Sequence, residues 1–298
     1  MSQPSQNPKK KTLDPEEQER ILRGAYFDIL SGFSSTEIDE KKAYIKHFDL
    51  QTQTIIDNYY HEVFSKARKK GLLTEQESIE EVLQSGAWTQ KEEDQLRISR
   101  AGLAKLQEGI ASAISEAMAD SMQGALQETK NKIAELENKR SSLITNTCEQ
   151  IAERRSSDLI IRYSFYKENK KDPFFSEQEF DMLDRKDLAE LVSLYNKAVT
   201  PLSAENIQSI SIADFFTSYY SIAQEDLGDF FRKPIHELTY FQVNLLNYAK
   251  LFSNILKNLD PPDHIKDNAQ KLLSFAKTEA KKRKSEARKQ AAKQKKHP

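Results

Sequence analysis

The chain has 298 residues with a net charge of −1, 31% charged residues, 8 glycines and one cysteine. So little glycine among so much Glu, Lys, Gln, Ala and Leu means few tight turns and many good helix formers, and an all-α fold of extended layout is expected. One cysteine excludes an intrachain disulfide framework or a thiolate metal cluster. With no apolar run near the ~18 residues of a membrane span and no signal-peptide core in MSQPSQNPKKK, a soluble protein with no membrane role is expected.

Residues 1–13 hold two prolines, Ser, Gln, Asn and three lysines, a composition too polar to order itself, and read as a flexible arm. Asp14-Pro15-Glu16-Glu17 then offers an N-cap, a first-turn proline and first-turn acids for a helix through Leu30. Ser34-Ser35-Thr36-Glu37 has capping-box spacing and predicts a second helix carrying Ile38, Tyr44, Ile45 and Phe48. A third runs from Gln51 to Lys70, with Gly71 as its stop. Thr74-Glu75-Gln76-Glu77 caps a short helix closed by Gly86. No strand is predicted anywhere: Ser209–Ile212 alternates too briefly, and Leu159–Tyr166 reads as the inner face of a helix.

Trp88 precedes another box, Thr89-Gln90-Lys91-Glu92, and so occupies the position of a hydrophobic staple. The following stretch repeats apolar residues at coiled-coil spacing. Leu96, Leu103, Ile110 and Ala117 lie seven apart with Leu106 and Ala113 between them, and Met122, Leu126, Ile133, Leu136 and Leu143 form a second series. The two series are out of phase, and Asp120-Ser121-Met122-Gln123 with Gly124 predicts a turn near 118–124 and hence an antiparallel hairpin. The alternative is one helix roughly 80 Å long. Arg140 falls on the second seam. The residues expected to meet a partner are Trp88, Leu103, Leu106, Ile110, Ile133 and Leu136.

Thr147 and Gln150 open a helix by box spacing, and composition then shifts: 17 of the 27 aromatic residues lie between Tyr163 and Phe252. Helix starts at Ser176, near Asp187, after Pro201 and at Thr239 give an aromatic-rich helical domain closed by Pro261-Pro262. A helix from Asp263 to about Thr278 leads into a basic tail. The expected division is 1–13 arm, 14–87 N-terminal helical unit, 88–146 coiled-coil-like hairpin, 147–262 aromatic-rich domain, and 263–298 helix running into a tail that is itself helical or disordered.

Chemistry-bearing motifs are missing from the sequence. Neither G-x-G-x-x-G nor G-x-x-x-x-G-K-[ST] occurs, which argues against a phosphate-binding loop. His47, His61, His236, His264 and His297 are scattered, and His61-Glu62 lacks the second histidine of a zinc helix. Acid pairs such as Glu80-Glu81 and Glu92-Glu93-Asp94 suit first turns and solvated faces. Cys148, at a helix start, has no placeable histidine partner. No catalytic, cofactor-binding or metal residues are therefore expected, and no cofactor.

Residues 277–298 carry ten Lys/Arg against Glu279 and Glu286, a net +8, so the rest of the chain is at −9. Lys281, Lys282, Arg283, Lys284, Arg288 and Lys289 are the core of this electrostatic tail. It reads three ways: a solvated tail, a tether for nucleic acid, or a contact for an acidic protein. It lacks aromatics for base stacking, and its binding in either of the last two cases falls with salt.

EEVLQSGAWTQKEED at 80–94 with the charged segment after it, YSFYKENKKDPFFSEQEFDMLDRKDLAELVSLYN at 163–196 and KPIHELTYFQVNLLNYAKLF at 233–252 resemble helical virion and tail-assembly proteins of large tailed bacteriophages. The resemblance covers most of residues 55–255. It implies a non-enzymatic structural or assembly role in tail or baseplate building or its chaperoning, in the host cytoplasm or the virion. Other phage structural proteins or a second copy would be the partners. It transfers no functional residues. Nucleic-acid binding through the tail is the competing expectation.

Overall fold

The computed structural model describes residues 14–111, 116–144, 146–223 and 230–294, and the expected arm at 1–13 lies outside them. The chain forms two compact units, each made of two separated stretches: Met1–Phe48 with Ser164–Ala249, and Asp49–Tyr163 with Lys250–Pro298. These do not follow the linear segments with boundaries at 87, 146 and 262. Composition marks where the chain changes character, whereas each unit is assembled by contacts across long sequence separations.

Helices dominate, as expected, but the fold is not all-α. In the first unit, α1 (Pro15–Ser31) is capped by Asp14, whose carboxylate accepts from Glu16 N, and ends at Gly32 with φ of 73°. In place of the predicted second helix, β1 (Phe33–Ile38) and β2 (Lys41–Lys46) form an antiparallel hairpin, with β3 (Phe165–Tyr166) pairing to β2. The turn residues Asp39 and Glu40 take φ of 48° and 62°. That left-handed backbone costs roughly 1–2 kcal/mol per residue and is usually signalled by Asn-Gly, so nothing in Asp-Glu announced it. Burial of one sheet face offsets the cost, because Ser34, Ile38, Ala43, Ile45 and Phe165 all point inward. Ser34 could not serve as an N-cap here, since its hydroxyl is engaged with His47.

After β3 come α7 (Glu177–Asp181), α8 (Arg185–Val199), α9 (Ala204–Ile210) and α10 (Asp214–Ala223). α11 (Tyr240–Asn258) closes the first unit with its N-terminal half. Tyr26, Ile29, Ile210, Phe216, Phe231 and Leu245 are central to one core. Phe216 meets Tyr26 edge-on at 5.7 Å and stacks on Tyr220 at 5.5 Å. The Thr239 capping box forms as expected and does more than cap. Gln242, fully buried, accepts from Thr239 N through Oε1 and donates through Nε2 to Ile29 O at 2.9 Å, satisfying the last turn of α1.

The second unit contains α2 (Leu50–Lys69), α3 (Glu75–Gln84), α4 (Gln90–Ala111), α5 (Glu116–Leu143) and α6 (Cys148–Ser164), with Ser164 itself counted in the first unit. It also holds α12 (Asp263–Lys266) and α13 (Ala269–Gln294). The helix expected from Asp263 is broken at Asp267–Asn268, where Asn268 Oδ1 accepts from Lys271 N and restarts it.

Two helices, α4 and α5, run antiparallel, which excludes a single long rod. The turn predicted near 118–124 is not there: those residues are inside α5, which begins at Glu116, while α4 ends at Ala111 and residues 112–115 lie outside the described residues. A solvent-facing Gly124 costs a helix only about 1 kcal/mol. Ala113 lies outside the described residues, as does the side chain of Ala117.

Candidate functional site

The antiparallel pair is fastened at its open end by one polar cluster. Thr89 caps α4 through its reciprocal box with Glu92. Trp88, 0% exposed, donates from Nε1 to Glu93 Oε2 at 2.8 Å. Lys139 of α5 pairs with Glu92 and also lies over the Trp88 ring at 5.7 Å. The ammonium of Lys139, with the Thr89 hydroxyl and amide, holds the Glu92 carboxyl down at about 2. Arg140, its side chain 12% exposed, bridges Glu75 of α3 at 3.0 Å and Glu93 of α4 at 3.2 Å. Arg100 with Glu137 at 2.6 Å adds a rung along the pair. Arg140 is thus committed within the unit, neither lying in water nor presented to a partner.

The sequence-predicted partner residues divide into two sets. Trp88 is fully buried and Ile133 nearly so, at 8% exposure, so both build the unit's interior together with Leu96. Leu103, Leu106, Ile110 and Leu136 are only half-buried. Two helices bury a single seam and leave its flanks open. On one flank Lys91, Asp94, Gln95, Ile98, Ser99 and Lys132 line a groove of about 580 Å³, and Ile98 is 66% exposed. Ile98 belongs to neither heptad series, so seam counting passed over it. α13 packs against α4 and covers part of that helix.

Cys148 is enclosed by its surroundings. It is 0% exposed, its thiol donates to Leu72 O at 3.3 Å, and burial pushes its pKa up. His61, His236 and His264 are exposed, and His297 lies outside the described residues. Among the described residues no group of three His, Cys, Asp or Glu side chains could hold a metal ion, and no helix is long and apolar enough to cross a membrane. Lys281, Lys282, Arg283 and Lys284 are exposed on α13, with Lys282 paired to Glu279 at 2.6 Å. The side chains of Arg288 and Lys289 lie outside the described residues.

One serine–histidine–aspartate trio does form, which the sequence reading missed. Ser34 Oγ lies 2.9 Å from His47 Nε2, and the Ser34 hydroxyl beside Asp28 partly offsets the rise that burial gives that carboxyl's pKa. The order is wrong for nucleophilic catalysis, where the acid must orient the histidine. Here Asp28 stands on the serine's side, and His47 Nδ1 has no hydrogen-bond partner among the described residues. Ser34 and His47 are 1% and 2% exposed, and burial with Lys233 nearby pushes the imidazole down to about 4. The Ser34–His47 bond ties β1 to the residue that follows β2.

Beside it, β1 and α8 border a cleft of about 650 Å³, lined by Ser34, Ser35, Thr36 and Glu37 on one side and Leu194, Lys197, Ala198 and Pro201 on the other, with Asp28 and Lys42. The outward sheet face carries Phe33, Tyr44 and Tyr166, with Lys170 4.4 Å over Tyr44 and Lys46 5.9 Å over Tyr166. Comparison with protein-family models, curated proteins and solved structures finds no match to this chain.

Proposed function

We propose that this is a non-enzymatic structural or assembly protein that works through helical protein–protein surfaces, with the α4–α5 pair as its docking element. The observation that supports this most is the half-open seam. Leu103, Leu106, Ile110 and Leu136 keep apolar surface outside the pair while the polar clamp around Trp88 and Arg140 holds it rigid. A rigid coiled-coil-like hairpin with an incompletely buried seam suits a helix from another protein laid along it. The setting we favour, tail or baseplate building in a large tailed bacteriophage, rests on the sequence resemblance. The partner is then another virion or assembly protein.

The test is co-purification from infected cells, comparing the native chain with Leu103→Glu/Ile110→Glu. Loss of particle or assembly-intermediate components from the variant, with helicity unchanged by circular dichroism, supports the proposal. Equal recovery of those components, or their absence from both, rejects it.

A second reading is favoured by one observation: α13 continues as a helix to Gln294 with Lys281, Lys282, Arg283 and Lys284 exposed along it. In that reading the chain binds nucleic acid electrostatically, and truncation after Ala276 abolishes a salt-sensitive gel shift. An unchanged shift rejects it.

A further inference from the structure

The free edge of β1 is half unused. Main-chain N–H and C=O groups of alternate residues in a strand point to opposite edges. His47 N donates to Gly32 O, which places Gly32, and with it Ser34, Thr36 and Ile38, on the β2 side of the ladder. The intervening Phe33, Ser35 and Glu37 therefore turn their main-chain groups away from β2. Phe33 is satisfied locally, since its N–H donates to Ser31 Oγ and its carbonyl accepts from the same hydroxyl. For Ser35 and Glu37 no main-chain partner exists among the described residues.

Along that open length runs the 650 Å³ cleft. Ser34, Ser35, Thr36 and Glu37 are consecutive, so their side chains alternate between the two faces of the sheet, yet all four line one space. Only a space running along the strand edge meets both faces. Its volume falls within the roughly 300–1,000 Å³ typical of ligand clefts. α8 forms the opposite wall with apolar Leu194 and Ala198, followed by Pro201. Lys197 stands on the same wall, and no acid is paired with it among the described residues. Lys42, by contrast, faces Glu37 across the hairpin and lies 4.0 Å from Glu168.

We propose that the β1 edge captures an extended peptide segment of another protein as an added strand, with an acidic side chain at the position facing Lys197. Pairing with Ser35 and Glu37 supplies the main-chain bonds, and small apolar side chains fill the space against Leu194 and Ala198. This surface belongs to the first unit, whereas the α4–α5 pair belongs to the second.

The probe is a random octapeptide library displayed on yeast, selected against the full chain. The expected binders carry an acidic residue and have no proline at alternate positions. Ser35→Pro removes one edge donor without touching the ladder to β2, and the peptide carbonyl left unpaired there lowers affinity roughly tenfold. Slow amide exchange at Thr36 and Ile38 shows that the hairpin survives this change. Ala198→Arg fills the cleft from the opposite wall and abolishes binding, while Lys197→Glu turns the acidic preference basic. Recovery of no binders overturns the proposal, as do binders indifferent to both Ser35→Pro and Ala198→Arg. Self-association of the full chain that Ser35→Pro abolishes would give the edge to a second copy and would also overturn it.

Discussion

Replacing Gln242 by leucine keeps the side-chain volume and removes the polar atoms of an amide that is fully buried. That amide donates to Ile29 O at 2.9 Å and Leu30 O at 3.4 Å, and accepts from Thr239 N at 3.0 Å. The substitution strands the Thr239 N–H and removes the side-chain donor to Leu30 O and Ile29 O, of which Ile29 O keeps Gly32 N at 3.2 Å. A lost bond costs about 1 kcal/mol net, and a buried group left unpaired costs about 1–3 kcal/mol. Set against the gain from an apolar side chain, the loss comes to about 3 kcal/mol. For a unit of this size the melting temperature then falls by roughly 10 °C. Gln242→Glu separates the contributions, because a carboxylate still accepts from Thr239 but faces the Ile29 and Leu30 carbonyls with no donor. It is as damaging at neutral pH and partly recovers as acid restores a proton that can donate. Thermal and urea melts of the intact chain measure both variants. A Gln242→Leu protein within about 0.5 kcal/mol of the native one, a change typical of uninvolved surface positions, refutes the reasoning.

His47 is held neutral, with its pKa near 4 when folded against about 6.5 unfolded. Its contribution is therefore complete above about pH 6.5 and is lost as the pH falls toward 4, by about 3 kcal/mol. Urea midpoints measured from pH 7 to 4 should fall less steeply for His47→Gln, and parallel curves would contradict this. Trp88→Phe deletes the bond to Glu93 and part of a filled interior site and costs about 1–3 kcal/mol, whereas Trp88→Ala costs about 3–5 kcal/mol. Chemical denaturation followed by circular dichroism ranks the two, and equal losses would remove the ring from the clamp. Gly102 and Gly124 lie within α4 and α5 with nothing for an added methyl to meet. Each change to alanine should stabilise by about 0.5–1 kcal/mol in melting experiments, and a loss would mean that one of these positions is in contact with another chain.

Helical character, helix starts and the paired nature of 88–144 follow from local sequence because capping chemistry is local. Thr74, Thr89, Ser176 and Thr239 each cap the helix that their spacing predicts, and Gly71 and Gly86 take the positive φ their stop positions require. Ser34 and Glu37 have the same spacing and form a strand instead, because Ser34 is engaged by His47 thirteen residues on. A capping box competes with any partner that the rest of the fold can bring to the same hydroxyl. Spacing alone cannot rank the two.

The seam leucines and isoleucines were visible as a pattern, but which of them would be covered depended on what packs beside them. Leu96 and Ile133 are enclosed while Leu103, Leu106 and Ile110 stay half-open, and Trp88 is taken wholly into the interior. The cleft beside β1 had no local signature, since it is made by bringing α8 alongside a strand more than 140 residues earlier in the chain. Sequence by itself determined that helix predominates and where most helices begin, through nearest-neighbour hydrogen bonds and periodic burial. Tertiary structure alone decided which polar groups were spent internally and which, like the outward main chain of Ser35 and Glu37, were left open, because that depends on groups distant in sequence meeting in space.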